Sequence, residues 1–227
     1  MVKLTAQGCE RILKKPIKKS EPLTSPEELF DHYLQDTSAT NTPSRRFLLI
    51  LILCFAGFLR IDELLSTTMK FVHIDREYMT ITLPKCKNDQ LREGNVVYIA
   101  RTRSEYCPVT FVENFCAETG LSLLNEDSFL LPRIIRIKKG YKAHQTLGIS
   151  YTTARETFVK HVRAVYGTVL KYTLHGLRAG GASEAASNGI DGRSISKHGR
   201  WKTQKARNAY IHDSVANRLR VTRSLGL

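Results

Sequence analysis

The sequence predicts a mainly α-helical domain that carries one small three-stranded antiparallel β-sheet. Three observations lead there. A long apolar run, Phe47 to Leu59, reads as a helix buried on all sides. Short segments rich in β-branched and aromatic residues cluster between Phe71 and Ile99. Helical patterning with start and stop signals returns at Pro108 and continues almost to the C-terminal end.

In chain order, residues 1–24 are polar and lysine-rich, with Pro16 and Pro22, and read as a linker. A helix start follows, with Ser25 as N-cap, Pro26 at the first helical position and Glu28 three residues after the cap. This helix carries Leu29, Phe30, Tyr33 and Leu34. After a loop from Thr37 to Pro43 comes the apolar helix, from about Ser44 to Leu59. It is flanked by Arg45, Arg46 and Arg60 and is shorter than the roughly 20 residues a membrane span needs. With no secretory signal ahead of it, the chain is expected to be soluble and intracellular. Phe71–Ile74, Met79–Leu83 and Val96–Ile99 form the predicted sheet, separated by turns at Asp75–Glu77 and Lys87–Asn95. Helices are predicted over Pro108–Thr119, Thr152–Tyr166, Leu174–Ser187, Arg193–His198, Thr203–Tyr210 and Ser214–Arg223. The stretch 132–150 reads as irregular and basic. The division expected is a basic linker and lead-in helix over 1–43, a main domain over 44–212, and a tail helix over 213–227.

Charge narrows the function. Among 227 residues, 35 Lys and Arg oppose 21 Asp and Glu, a formal net charge of +14. Such an excess suits a polyanionic partner, nucleic acid or an anionic membrane surface, with solubility alone as the plainer reading. The charge is also segregated. From Arg193 to Leu227 the only acid is Asp213, and Lys3, Arg11, Lys14, Lys15, Lys18 and Lys19 crowd the start. Single-sign segments favour a surface that follows phosphates. The five cysteines contain no CxxC pair, so neither a disulfide framework nor a zinc site is indicated.

Three constellations carry chemistry. In Thr173-Leu174-His175-Gly176-Leu177-Arg178, His175 and Arg178 share a helix face and make a plausible site for phosphate oxygens. In Gly57-Phe58-Leu59-Arg60-Ile61-Asp62-Glu63, Arg60 ends the apolar helix, and Glu63 is placed to hold its side chain. In Gly199-Arg200-Trp201-Lys202, followed by Lys205, Arg207 and Tyr210, a tyrosine sits among basic residues nine positions after the only tryptophan. Each has a plainer reading alone: a surface pair, an internal ion pair, a packing tyrosine.

Taken in order, these pieces resemble the active site of the tyrosine recombinases. The resemblance covers about residues 44–212. Arg60 with Glu63 matches the first arginine motif, and Lys87 the lysine of a β-hairpin. His175 and Arg178 match the HxxR pair, Trp201 the His-or-Trp position and Tyr210 the nucleophile. Two alternatives stay open: Lys85 could serve as the hairpin lysine, and His198 could compete with Trp201. The words CFAGFLR, KNDQLREG, HGLRAGGAS and HGRWKTQKARNAYI look most like recombinases of Crypton- or DIRS-type mobile elements.

The resemblance implies strand cleavage and rejoining on double-stranded DNA through a 3′-phosphotyrosyl link, without metal or other cofactor. It also implies self-association on DNA, as dimer or tetramer, with the tail helix either exchanged between protomers or packed in cis. Lys85, Arg200, Lys202, Lys205, Arg207, Arg133, Arg136, Lys138 and Lys139 are the expected backbone contacts. A mobile-element enzyme of a eukaryote would act in the nucleus, and otherwise in the cytoplasm. Two rival functions are a type IB topoisomerase and a DNA-binding remnant that no longer cleaves.

Overall fold

The computed structural model describes residues 21–24, 26–36, 41–84, 95–122, 125–167 and 172–225. The expected cap at Ser25, the hairpin lysines Lys85 and Lys87, and the basic lead-in 1–20 lie outside the described residues.

Helix α1 (Glu27–Asp36) buries Leu29, Phe30 and Tyr33. Helix α2 (Thr42–Ala56) is the centre of the core, with every residue from Arg46 to Cys54 buried. Burying a Leu, Ile or Phe side chain stabilises by about 1.5–3 kcal/mol, so this one helix supplies a large part of the hydrophobic driving force. It ends three residues earlier than the apolar run suggests. Gly57 caps it, its N–H donating to the Leu53 carbonyl, and Phe58 then turns the chain with φ of 45°. Arg60 is therefore not at the end of α2. It is the N-cap of the short helix α3 (Ile61–Leu65), in a reciprocal cap with Glu63.

Strands β1 (Val72–Ile74), β2 (Tyr78–Leu83) and β3 (Asn95–Ala100) form the expected antiparallel sheet in the order β1-β2-β3. Pairings such as Met79 with Ile99 and Ile81 with Val97 put the apolar residues on one buried face. Tyr78 and Tyr98 stand on the other face, 5.7 Å apart. Helix α4 (Pro108–Thr119) follows, with proline in its first turn and Gly120 as a left-handed cap.

The stretch 132–150, expected to be irregular, is an antiparallel hairpin of β4 (Pro132–Ile137) and β5 (Gly140–Gly148). The sequence hides it for a physical reason. Ile135 and Ile137 are exposed and Arg133 and Arg136 interrupt the run, so no half-buried alternation marks the strands. Helices α5 (Tyr151–Tyr166), α6 (Leu174–Ser187), α7 (Gly192–Gly199), α8 (Gln204–Asn208) and α9 (Val215–Arg223) complete the chain. Helix α2 packs against α1, α4 and α6, and α1 also reaches α5. The lead-in helix thus packs into the same core as the residues after 44. Helix α9 lies beside the end of α6, where Asn217 meets the Ser187 hydroxyl at 3.3 Å and Arg220 donates to the Ser187 carbonyl at 3.2 Å. No helix among the described residues is long and apolar enough to cross a membrane.

The glycines of α6 set how closely its neighbours approach. A Cβ on Gly180 would lie 1.8 Å from the Leu23 carbonyl oxygen, and one on Gly181 would lie 2.3 Å from that of Phe55. The segment from Glu21 to Leu23 is strapped across α6, with the Leu23 N–H donating to the Gly176 carbonyl at 3.2 Å. Gly180→Ala should therefore cost about 3 kcal/mol, at the upper end of overpacking penalties, because the clash is with backbone. Urea unfolding measures this directly; a loss below about 1 kcal/mol would show that the strap yields freely.

Candidate active site

The turn from Phe58 to Glu63 builds one wall of the site. The Glu63 carboxylate accepts from the Arg60 N–H at 2.9 Å and from Arg60 Nη1 at 2.6 Å. It also accepts from Arg200 Nη2 at 3.0 Å and lies 3.9 Å from Arg178 Nη1. Burial alone would raise the Glu63 carboxyl, but Arg200 and the contacts from Arg60 outweigh it and hold the group below its ordinary value. Three guanidiniums thus meet one carboxylate, a formal excess of two positive charges within this cluster.

Arg178 is fully buried, 0% exposed. Nη1 donates to the Phe58 carbonyl, and Nη2 donates to the Gly199 carbonyl at 2.6 Å. Among the described residues its Nε has no acceptor. Burial first, then Arg200 and Arg60, push this guanidinium down to about 10, so it stays cationic at neutral pH. Arg60 is half-buried. Burial lowers it, but the hydrogen bond and charge of Glu63, with Tyr210 adding to them, leave it net raised.

Helix α6 presents His175 one turn before Arg178, and Thr173 caps that helix by accepting from the Gly176 N–H at 3.2 Å. Burial, then the charges of Arg178 and Arg60, hold the His175 imidazole below its ordinary value. A neutral ring at pH 7 can accept a proton. Trp201 follows the left-handed Arg200 (φ 57°) at the end of α7. It is 7% exposed, and its indole N–H has no acceptor among the described residues.

Tyr210, just beyond α8, closes the group. Its ring lies 5.2 Å from that of His175 and 4.9 Å from that of Trp201. The Arg178 guanidinium sits 5.3 Å from the Tyr210 ring and 4.9 Å from the Trp201 ring. The Ser183 hydroxyl of α6 holds the segment from both sides, 3.3 Å from the Tyr210 carbonyl and accepting from the His212 N–H at 2.9 Å. The structure therefore brings together Arg60, His175, Arg178, Trp201 and Tyr210 over Glu63, residues that the sequence scatters over 150 positions (210 − 60).

Three expected residues lie differently. Arg200, expected to meet DNA on the surface, is buried with its side chain 5% exposed. It donates to Glu63 and, at 2.9 Å, to the Phe58 carbonyl, so it braces the site from behind. His198 is likewise internal: its Nε2 lies 2.8 Å from the Ala56 carbonyl and its ring meets the Phe58 edge at 4.6 Å. Burial is the main cause of its lowered pKa. Arg207 is half-buried over Gly192 and bonded to Asn208 at 3.0 Å. Lys202 and Lys205 are exposed near Tyr210, and Arg133, Arg136, Lys138 and Lys139 are exposed along the β4–β5 hairpin.

The sequence reading missed the floor of the site. Arg60 and His175 open onto a cleft of about 620 Å³ that is also lined by Tyr151, Arg155 and Tyr172. Arg155 is a cation on the cleft side of α5, and the helical spacing from Tyr151 to Arg155 was the signal that could have found it. Among the described residues no group of three or more His, Cys, Asp or Glu is placed to hold a metal ion.

No protein-family model matches the sequence, and no curated protein is similar to it at a significant level. Solved structures do match the fold. The XerH site-specific recombinase bound to palindromic difH substrate, in a post-cleavage complex, superposes with a TM-score of 0.64 at 13% identity. That match covers 91% of this chain and 52% of XerH, so the chain spans about half the length of that protein. XerA recombinase gives 0.62 at 17% identity over 93% of this chain and 67% of its own. The Tn1549 transposon integrase, in complex with transposon right end DNA, gives 0.60 at 14% identity over 96% and 70%. The chain therefore has the fold of tyrosine recombinase catalytic domains.

Proposed function

We propose that this chain breaks and rejoins DNA strands through a covalent bond between Tyr210 and a 3′-phosphate, in recombination or integration. The observation that carries this reading is the placement of a tyrosine beside an electropositive well. Tyr210 lies next to His175, Trp201 and Arg178, where two positive charges and an unsatisfied indole N–H await an anion. The likeness to recombinase and integrase structures supports it at the level of fold. The motif words of the sequence favour an element of Crypton or DIRS type.

In this mechanism the Tyr210 hydroxyl oxygen attacks the scissile phosphorus and the bond to the 5′-oxygen breaks. The chain gains a 3′-phosphotyrosyl ester and the DNA a free 5′-hydroxyl. Attack of a partner strand's 5′-hydroxyl on the same phosphorus reverses the step and releases Tyr210. One phosphoester is made for each one lost, so no external energy source is needed.

Arg60, Arg178 and Trp201 supply N–H donors to the non-bridging oxygens, where charge builds in the transition state. Loss of one such donor costs about 10²–10³-fold in rate in comparable oxyanion sites. Tyrosine has an ordinary pKa near 10 and needs an acceptor at neutral pH. His175, held neutral, takes the proton. Lys87, from the loop between β2 and β3, is the proposed acid for the 5′-oxygen, with Lys85 as the alternative. Lys202, Lys205 and the hairpin cations follow the backbone, and self-association on DNA through the partly exposed α9 completes a synapse.

Covalent trapping tests the reading. On nicked duplexes of random sequence, the wild type should form a denaturation-resistant adduct that leaves a 5′-hydroxyl, and Tyr210→Phe should form none. Binding by both without any adduct would replace cleavage with a binding function. The depressed His175 value fixes the pH profile. The single-turnover rate should be full at about pH 7 and fall as pH drops through a value below the usual 6.5. His175→Gln should be slower and lack that acid limb; an identical limb in the variant would remove His175 from the proton transfer. Replacing both Lys202 and Lys205 with Gln should reduce the slope of log affinity against log salt by about two, whereas an unchanged slope would place the DNA elsewhere.

A further inference from the structure

Beyond the cleavage centre, a second cavity of about 400 Å³ opens between α2, the β4–β5 hairpin and the start of α5. Arg46 lies at its base. The residue is 8% exposed, yet among the described residues it makes a single hydrogen bond, from Nη1 to the Pro132 carbonyl at 2.7 Å, its buried Nε has no acceptor and no carboxylate pairs with it. The acid on the neighbouring surface, Glu118, is taken by Arg45 at 2.7 Å and by the Thr42 hydroxyl at 2.7 Å. A guanidinium buried without a counter-charge is costly, and burial here pushes it down to about 10, which still leaves it charged at neutral pH.

The rest of the cavity supplies the complement. Arg133 brings a second cation to the rim, and among the described residues no carboxylate lines the space. Ser150 and Thr153 mark the amino end of α5, a helix of 16 residues. The Ser150 hydroxyl accepts from the Thr153 N–H at 3.2 Å, which leaves the earlier amides of the first turn without a helical acceptor. Such an end favours negative charge. We infer that this cavity binds a phosphate group, held by Arg46, Arg133 and the amino end of α5. Arg46 lies in the first turns of α2 and Ala56 at its end, about 15 Å apart along the axis, so this phosphate is not the one at the cleavage centre. The phosphate comes either from a DNA backbone or from free phosphate in solution, and the site stands independently of the cleavage reading.

The test is a titration of the ¹⁵N-labelled chain with inorganic phosphate against chloride at equal ionic strength, followed at each backbone amide. Saturable shifts at Gly148 and from Ser150 to Thr153 are expected, separate from any at His175 or Trp201. Arg46→Met fills the same volume without charge and should abolish the first set while leaving the second. Arg133→Gln, at an exposed position, should weaken binding at those amides about tenfold and carries the test should Arg46→Met fail to fold. Absence of saturable shifts there, or shifts unchanged in Arg133→Gln, overturns the site. Duplex binding then separates the sources. A salt slope reduced by about one in Arg133→Gln identifies a backbone phosphate, and an unchanged slope with weakened phosphate binding identifies the free ion.

Discussion

Glu63 accepts from guanidiniums on separate stretches of chain, and the positions of Arg60 and Arg200 follow from it. Taking a carboxylate out of water costs several kcal/mol unless it is fully bonded, and this one is. In return it fixes Arg60 at the mouth of α3 and pins Arg200 behind the site, which keeps Arg178 from bearing the whole cationic load. Glu63 does not neutralise the centre. With three cations against one anion, the network is stable enough to form but retains the excess charge that a phosphate would balance.

The Phe58 carbonyl is the second fixed point. It accepts from both Arg178 and Arg200, and it can face them because Phe58 adopts a left-handed backbone. That conformation costs about 1–3 kcal/mol for a residue with a bulky side chain. Two hydrogen bonds to charged donors return about 1.5–3 kcal/mol each, enough to hold the strained turn in place. The same turn ends α2 early and starts α3, so the strain, the break in the helix and the aim of two arginines are one feature.

This explains which parts the sequence could reveal. The buried helix around Phe47–Cys54 is legible as an unbroken apolar run, the three-stranded sheet as β-branched and aromatic segments between turns, and α6 by its stop signal at Asn188-Gly189. The β4–β5 hairpin is not, because neither of its faces is buried enough to impose a pattern on the residues. At the site, residue type and order bring out Arg60, His175, Arg178, Trp201 and Tyr210. The role of Arg200 is invisible in sequence, where it looks like one more cation in a basic tail. Only the fold shows that it faces Glu63, 137 positions away. His198 was partly legible: three residues before Trp201 it could compete as a phosphate ligand, the spacing of Trp201 to Tyr210 favoured Trp201 instead, and the Ala56 carbonyl gives His198 an internal partner.

The two halves of the site are held unequally. The anion well is built on the turn from Phe58 to Arg60, on α3 and on α6, with Arg60 bonded to Glu63 and Arg178 to the carbonyls of Phe58 and Gly199. Tyr210 stands at the end of α8, a five-residue helix with no buried residue. What holds the tyrosine is tilted ring contact with Trp201 and His175, together with the Ser183 hydroxyl that grips the backbone on either side. Few buried contacts mean a low cost of local opening, whatever the stability of the domain as a whole. A tyrosine placed this way can leave the well and return without disturbing the arginines. The segment that would carry it continues directly into α9, where Val215 is 73% exposed and hydrogen bonds to Ser187 tie the helix to α6. Any contact made with α9 would therefore act on the same short segment that positions Tyr210, and through it on the one part of the site that the core does not fix.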